Sequence, residues 1–205
     1  GGDAKIRYGG IHLSGSKNVI IKSITFQDPT GQSDCIYISD KSQNIWIDHC
    51  SLTGDPTKST DKYHDHTIDI RSGSKNITIS YCEFHNFCQN ILISGSIQDD
   101  PIDVDLSVTI HDTWFNGTRS RNPRIRKAKV HIFNTYYKDN NWFSKTSEEG
   151  YAIVSNDDAK VVVENTYFQN VHNPVILGFK EHPKGNIKLK GCKFVDCGNR
   201  PRNNG

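Results

Sequence analysis

Apolar and polar residues alternate along this chain in short bursts, and the bursts recur. Asn18 opens NVIIKSITF, and the same outline returns as NIWIDHCSL from Asn44, NITISYCEF from Asn76, SVTIHDTWF from Ser107, KVHIFNTYY from Lys129, KVVVENTYF from Lys160 and NIKLKGCKF from Asn186. Successive copies begin 26, 32, 31, 22, 31 and 26 residues apart. The first half of each copy has the period of a half-buried strand, and its Val, Ile and Thr suit a pleated surface. Between copies lie further short apolar runs: CIYIS from Cys35, TIDIR from Thr67, NILIS from Asn90, GYAIVS from Gly150 and NPVILGF from Asn173. Self-similarity at this period marks a solenoid, in which each unit buries its hydrophobic face only by stacking on its neighbours. No amphipathic helix of useful length interrupts the pattern. Two or three short strands per turn predict an all-β chain, a right-handed single-stranded parallel β-helix. A leucine-rich repeat would need Leu at fixed places in a shorter unit, and a propeller blade would be longer.

The unequal spacing places extra residues in loops, the natural site of a binding cleft. The longest insertions run from Ser51 to His66 and from Ser96 to Asp105. The copies end on Phe26, Phe84, Phe115, Tyr137, Phe168 and Phe194 at equivalent places, which predicts an inward stack of rings. Cys50, Cys82 and Cys192 also share one place. Parallel side chains on neighbouring strands suit disulfide geometry poorly, so free thiols and a bridge both remain open there, and Cys192 and Cys197 are close enough to pair.

Composition narrows the class. With 205 residues, 34% hydrophobic, and Lys+Arg 25 against Asp+Glu 23, the chain has the balance of one ordered domain over residues 1–205. No apolar run approaches the roughly 20 residues that cross a bilayer. The chain starts at Gly1 and contains no Met; seven copies in this length are read as most of a solenoid lacking its N-terminal part. Six cysteines and the sequons at Asn76 and Asn116 lean toward a secreted, extracellular protein with disulfide bonds, although Asn76 falls in a strand expected to be buried. No Cys-x2-Cys pair supports a zinc site.

Two constellations carry chemistry. Asp34 and Asp65 each precede a strand, and Asp69 lies inside TIDI, where Ile68 and Ile70 should turn it outward into solvent. Asp34 lies 12 residues before Trp46 and Asp65 13 before Thr78, which puts the two at equivalent places on adjacent coils. Three clustered acids repel unless a cation neutralises them, and hard oxygen donors favour Ca2+; equally, acids on an exposed strand can simply be solvated. The second constellation is the segment Arg119 to Lys129, which holds Arg119, Arg121, Arg124, Arg126, Lys127 and Lys129 and no acid. Guanidinium groups suit bidentate carboxylate capture, while a solvated or nucleic-acid-binding patch fits the same composition.

At these residues the sequence resembles the pectate lyases of polysaccharide lyase family 1. The matching pieces are NIWIDH from Asn44 to His49, TIDIRS from Thr67 to Ser72 with an acid four residues before Asp69, and Arg121-Asn122-Pro123-Arg124-Ile125-Arg126 followed by Val130-His131-Ile132. The resemblance implies a parallel β-helix that cleaves α-1,4-polygalacturonate by β-elimination with Ca2+. It places Asp34, Asp65 and Asp69 at the calcium positions, Arg121 as the base that takes the C5 proton, and Arg126 and Arg124 as substrate-carboxylate binders. A free guanidinium stays protonated to above about pH 12, so the base role relies on positive surroundings from Arg124, Arg126 and calcium. Asn44 to His49 would be a structural signature beside the cleft, with Asp48 and His49 bracing the coil. Three departures stand out. Gln89 occupies the place of a substrate-binding Lys, Gln32 that of an acid assisting calcium, and Asn134-Thr135 that of an Asn-Asn pair in an internal ladder.

The resemblance leads to the expectation of a monomer acting on pectate, with no nucleic-acid or membrane partner. The rivals are a non-catalytic polyuronate-binding β-helix and a pectin lyase acting on esterified polymer without calcium. Retention of the three acids argues against the latter. A hydrolytic polygalacturonase would carry Asn-Thr-Asp and Gly-His-Gly motifs, which are absent.

Overall fold

In a computed structural model, residues 4–29, 34–55, 66–93, 106–140, 150–179 and 182–198 are described, and every strand they form pairs in parallel with the coil above or below. Each nine-residue motif is not one strand but two, split at a corner. Lys17–Lys22 gives way to Ile24–Gln27, Gln43–Asp48 to Ser51–Thr53 and Lys75–Ser80 to Glu83–His85. The corner residues Ser23, His49, Tyr81, Asp112, Asn134, Asn165 and Gly191 all have φ between 47 and 63°. That left-handed conformation reverses the chain in one residue, and Asn, Asp and Gly reach it at the lowest steric cost.

The intervening runs form the third side of each coil: Ile11–Ser14, Ile36–Ser39, Ile68–Ile70, Ile91–Ile93, Arg124–Arg126, Tyr151–Asn156 and Asn173–Leu177. Three stacked sheets of eight, seven and seven strands result, the right-handed parallel β-helix read from the sequence. Its core is a set of columns with one residue per coil, among them Ile21, Ile47, Ile79, Ile110, Ile132 and Val163. Burying each such side chain contributes about 1.5–3 kcal/mol.

The predicted ring stack is present from Phe84 to Phe194, whereas Phe26, though in the same inward column, is separated from it by Leu52. Phe84–Phe115, Phe115–Tyr137, Tyr137–Phe168 and Phe168–Phe194 lie 4.6, 4.9, 4.8 and 4.9 Å apart and within 9° of coplanar. The column just after the corners explains the cysteines. Cys50, Cys82, Thr113, Thr135, Thr166 and Cys192 each donate a side-chain hydrogen bond to the carbonyl two residues back. Thr135 therefore belongs to a hydroxyl and thiol column rather than an asparagine ladder. All six cysteines are free thiols, so the expected disulfides are not formed. Cys192 and Cys197 each hydrogen-bond to a different pair of carbonyls, at 3.4 and 3.7 Å and at 3.5 and 3.4 Å.

An asparagine ladder does exist, on the outside. Asn44 donates to Asn18 at 2.9 Å and Asn76 donates to Asn44 at 3.1 Å. Asn76 is exposed rather than buried, because its φ of 54° turns it off the inward column at the strand entry. The NIWIDH segment braces its coil as read. Asp48, 1% exposed, accepts from Ser80 at 2.7 Å, lies 2.9 Å from Lys22 and meets His49 at 2.8 Å, while Trp46 donates to Ser80 at 2.8 Å. It does so on a different side of the coil from the acids and arginines.

Candidate functional site

The outward column of the site sheet reads Tyr37, Asp69, Leu92, Arg124 and Val154. Parallel register alone thus puts an acid and a guanidinium two strands apart on one face, with Ile68, Ile70, Ile93 and Ile125 anchoring the strands inward. Asp69 points to this outer face as expected, but it is 1% exposed rather than solvated. Arg71 covers it, with Nε 2.9 and 2.8 Å and Nη2 2.6 Å from the carboxylate oxygens. Burial pushes the Asp69 carboxyl above its ordinary value, outweighing the pull of Arg71 and His66, and the hydrogen bonds that Arg71 donates to Asp69 raise the Arg71 guanidinium.

Asp34 stands at the strand entry one coil before. Its Oδ1 accepts the His66 backbone N–H at 2.9 Å and lies 3.3 Å from His66 Nδ1, which is 3.8 Å from Asp69 Oδ2. Asp34, His66 and Asp69 each bring a donor atom within 4.8 Å of the others. Asp65 and Gln32 lie outside the described residues, as do most of the two long insertions. His66 was missed in the sequence, yet a signal was there. Ile36 pairs with Ile68 and Trp46 with Thr78, so the position matching Asp34 is His66 and not Asp65.

Whether a hard cation fits can be judged from the donors. Two carboxylates converge, and a carboxylate has about four acceptor positions, so Asp69 can share its oxygens between Arg71 and a metal ion. His66 is a poorer Ca2+ ligand than oxygen, and its ring faces Asp34 through Nδ1. The set fits calcium through Asp34 and Asp69, with His66 as a neighbour.

The basic segment meets this cluster. Arg121, with φ of 57°, donates from Nη1 to His66 Nε2. Gln89, 9% exposed, bridges to Ser120 and so sits on the coil between His66 and Arg121. Arg124 is 7% exposed and lies over the Phe179 ring at 5.5 Å, a guanidinium held beneath the surface. Arg126 is partly exposed, its Nη2 2.9 Å from His182 Nε2. The structure thus brings Asp34, Asp69, Gln89, Arg121, Arg124 and Arg126 onto one side of the solenoid. Acids and guanidiniums side by side can hold a polyanion and a cation together and place a proton acceptor between them.

A sequence model of the family described as pectate lyase matches residues 1–199. Pectate trisaccharide-lyase of Bacillus licheniformis is 29% identical over 188 residues, covering 91% of this chain and 51% of that protein. Its counterpart in Thermotoga maritima is 35% identical over 145 residues, covering 66% of this chain and 37% of the relative. Among solved structures, pectate lyase Bsp165PelA from Bacillus sp. N165, in complex with trigalacturonate, superposes with a TM-score of 0.81 at 30% identity, covering 97% of this chain and 64% of that one. The chain spans about half the length of the Bacillus licheniformis relative.

Proposed function

The chain belongs to the pectate lyase family, and from that premise we propose that it is a calcium-dependent lyase cleaving α-1,4-polygalacturonate by β-elimination. The observation that carries the reading is the hydrogen bond from Arg121 to His66, which sets the candidate base against the Asp34–Asp69 cluster. In this reading the uronate carboxylate is drawn to Arg126, while Gln89 offers a neutral donor at the strand entry beside Ser120. The C5 proton, α to that carboxylate, is very weakly acidic, and its removal builds enolate-like charge on the carboxyl group. Fixed positive groups aimed at that charge lower the barrier most. Calcium, held by Asp34 and Asp69 and by Asp65 as the resemblance implies, would add positive charge beside the substrate carboxylate. Arg121 takes the C5 proton as the C4–oxygen bond breaks, a C4=C5 double bond forms at the new end, and the departing glycosidic oxygen takes up a proton from water. Buried Arg124 contributes fixed positive potential on the same face. Action on a wall polymer agrees with export and with a monomer, which are part of the same proposal.

Purified protein given polygalacturonate and Ca2+ should produce a steady rise in ultraviolet absorbance from unsaturated products, and a chelator should stop it. Absence of that rise with polymer binding retained would make the chain a non-catalytic polyuronate-binding β-helix. A rise that survives chelation on esterified polymer would favour a pectin lyase.

A further inference from the structure

Arg126 is the substrate-facing guanidinium of the proposed reaction, and its own support has no part in the reading so far. Its Nη2 lies 2.9 Å from His182 Nε2, and His182 Nδ1 lies 3.1 Å from Asp157 Oδ2. Asp157 Oδ2 is also 3.9 Å from Arg126 Nε. All three side chains are at most 15% exposed. A guanidinium can only donate, so His182 Nε2 accepts, and the imidazole carries its proton on Nδ1 and gives it to Asp157. That chain of donor and acceptor has one direction and fixes one ring orientation.

The backbone holds the chain in place. Asp157, with φ of 50°, donates its N–H to the Pro183 carbonyl at 2.9 Å, and its own carbonyl accepts from Lys127 at 3.2 Å. Phe179 and His182 form an antiparallel bridge, as do Asn156 and Lys184. The segment that delivers His182 to Arg126 therefore also delivers the Phe179 ring to Arg124. One side excursion at the end of the site sheet braces two guanidiniums of the basic segment at once.

We propose that His182 and Asp157 are positioning residues that hold the Arg126 guanidinium in the plane and direction needed to receive a uronate carboxylate. The inference rests on the polygalacturonate reading for its ligand. Its mechanism is general: a bidentate ion pair gains from a pre-oriented fork, because rotamer freedom is not lost again on binding. The pair touches neither the reacting atoms nor the acidic cluster, so its loss acts only through the aim of Arg126, weakening polymer capture and blunting the stabilisation of charge on the same carboxylate.

The test compares His182→Phe, His182→Gln and Asp157→Asn. Phe keeps the volume and loses both polar contacts, whereas Gln offers an acceptor to Arg126 and a donor to Asp157. KM for polygalacturonate should rise about 5- to 10-fold in His182→Phe, the scale of one ordinary hydrogen bond, with kcat falling by no more than KM rises; Gln should return most of both. The Arg126 Nη–H resonances, assigned through Arg126→Lys, should be slow to exchange in the wild type and in the Gln variant and fast in His182→Phe and Asp157→Asn, because the hydrogen bond to His182 leaves from Nη2. Unchanged KM and exchange in every variant would overturn the proposal, as would a loss of activity that Gln does not rescue. Wild-type protein that neither binds nor cleaves polygalacturonate would refute the substrate reading, and the exchange measurement would then decide the positioning role by itself.

Discussion

Arg121 and His66 stand 55 residues apart in the chain and meet through a hydrogen bond from the guanidinium to Nε2. The same imidazole faces Asp34 at 3.3 Å through Nδ1. The candidate base and the acidic cluster are thus one connected array rather than two patches, and substitutions at either end have separable consequences.

Arg121→Lys keeps a cation but loses the planar fork and its reach to His66. Turnover of polygalacturonate should fall by at least about 100-fold, the usual worth of a positioned proton acceptor, with polymer binding changed little. Initial rates and a binding isotherm on the same preparation check this. Full activity would remove Arg121 from the reaction.

Asp69→Asn takes the negative charge from beneath Arg71 and from the cluster with Asp34. Calcium affinity measured by titration calorimetry should drop by an order of magnitude or more. Stability should change little, because the charged partner lost by Arg71 is offset by removal of a buried carboxylate whose burial outweighs that partner. Calcium binding equal to wild type would mean that the ion is held elsewhere.

The ring stack allows a contrast between packing and polarity. Phe115→Ala should destabilise by about 3–5 kcal/mol through the cavity it leaves between Phe84 and Tyr137. Tyr137→Phe should be neutral or stabilising by about 1 kcal/mol. The Tyr137 hydroxyl is fully buried with no hydrogen-bond partner among the described residues, and burial drives its ionisation well above the usual range. Urea midpoints would show both effects, and a clear loss in Tyr137→Phe would reveal a partner for the hydroxyl.

Asp48 supplies the pH dependence. Burial alone would raise its carboxyl, but hydrogen bonds from Ser80, Lys22 and His49 bring it down to about 2. A depressed folded value stabilises above the ordinary carboxylate range, so this contribution is present above about pH 4 and is lost as the pH falls toward 2. Because Lys22 and His49 are more than half exposed, about 1–2 kcal/mol is expected rather than the full shift. The stability gap between wild type and Asp48→Asn should therefore close on acidification through that window. A gap independent of pH would place the cost in packing.

The sequence alone determined the repeat, the strand class, the inward ring column and the two sets of charged residues, because a solenoid writes each coil as a local pattern of period two. Ile68 and Ile70 flanking Asp69 were enough to place its side chain on the outer face. They could not show that Arg71 would close over it, since burial of an outward residue depends on what its neighbours do in space. His66 was hidden for a related reason. Which residue faces Asp34 is set by register between coils, and the pairing of Ile36 with Ile68 selects His66 over Asp65 by a single residue. Asp157 and His182 carry no motif; they reach Arg126 only because a late excursion of the chain folds back onto the site sheet. Local periodicity is a one-dimensional property and survives in the sequence, whereas burial, register and the partners of each charge are decided when the coils stack.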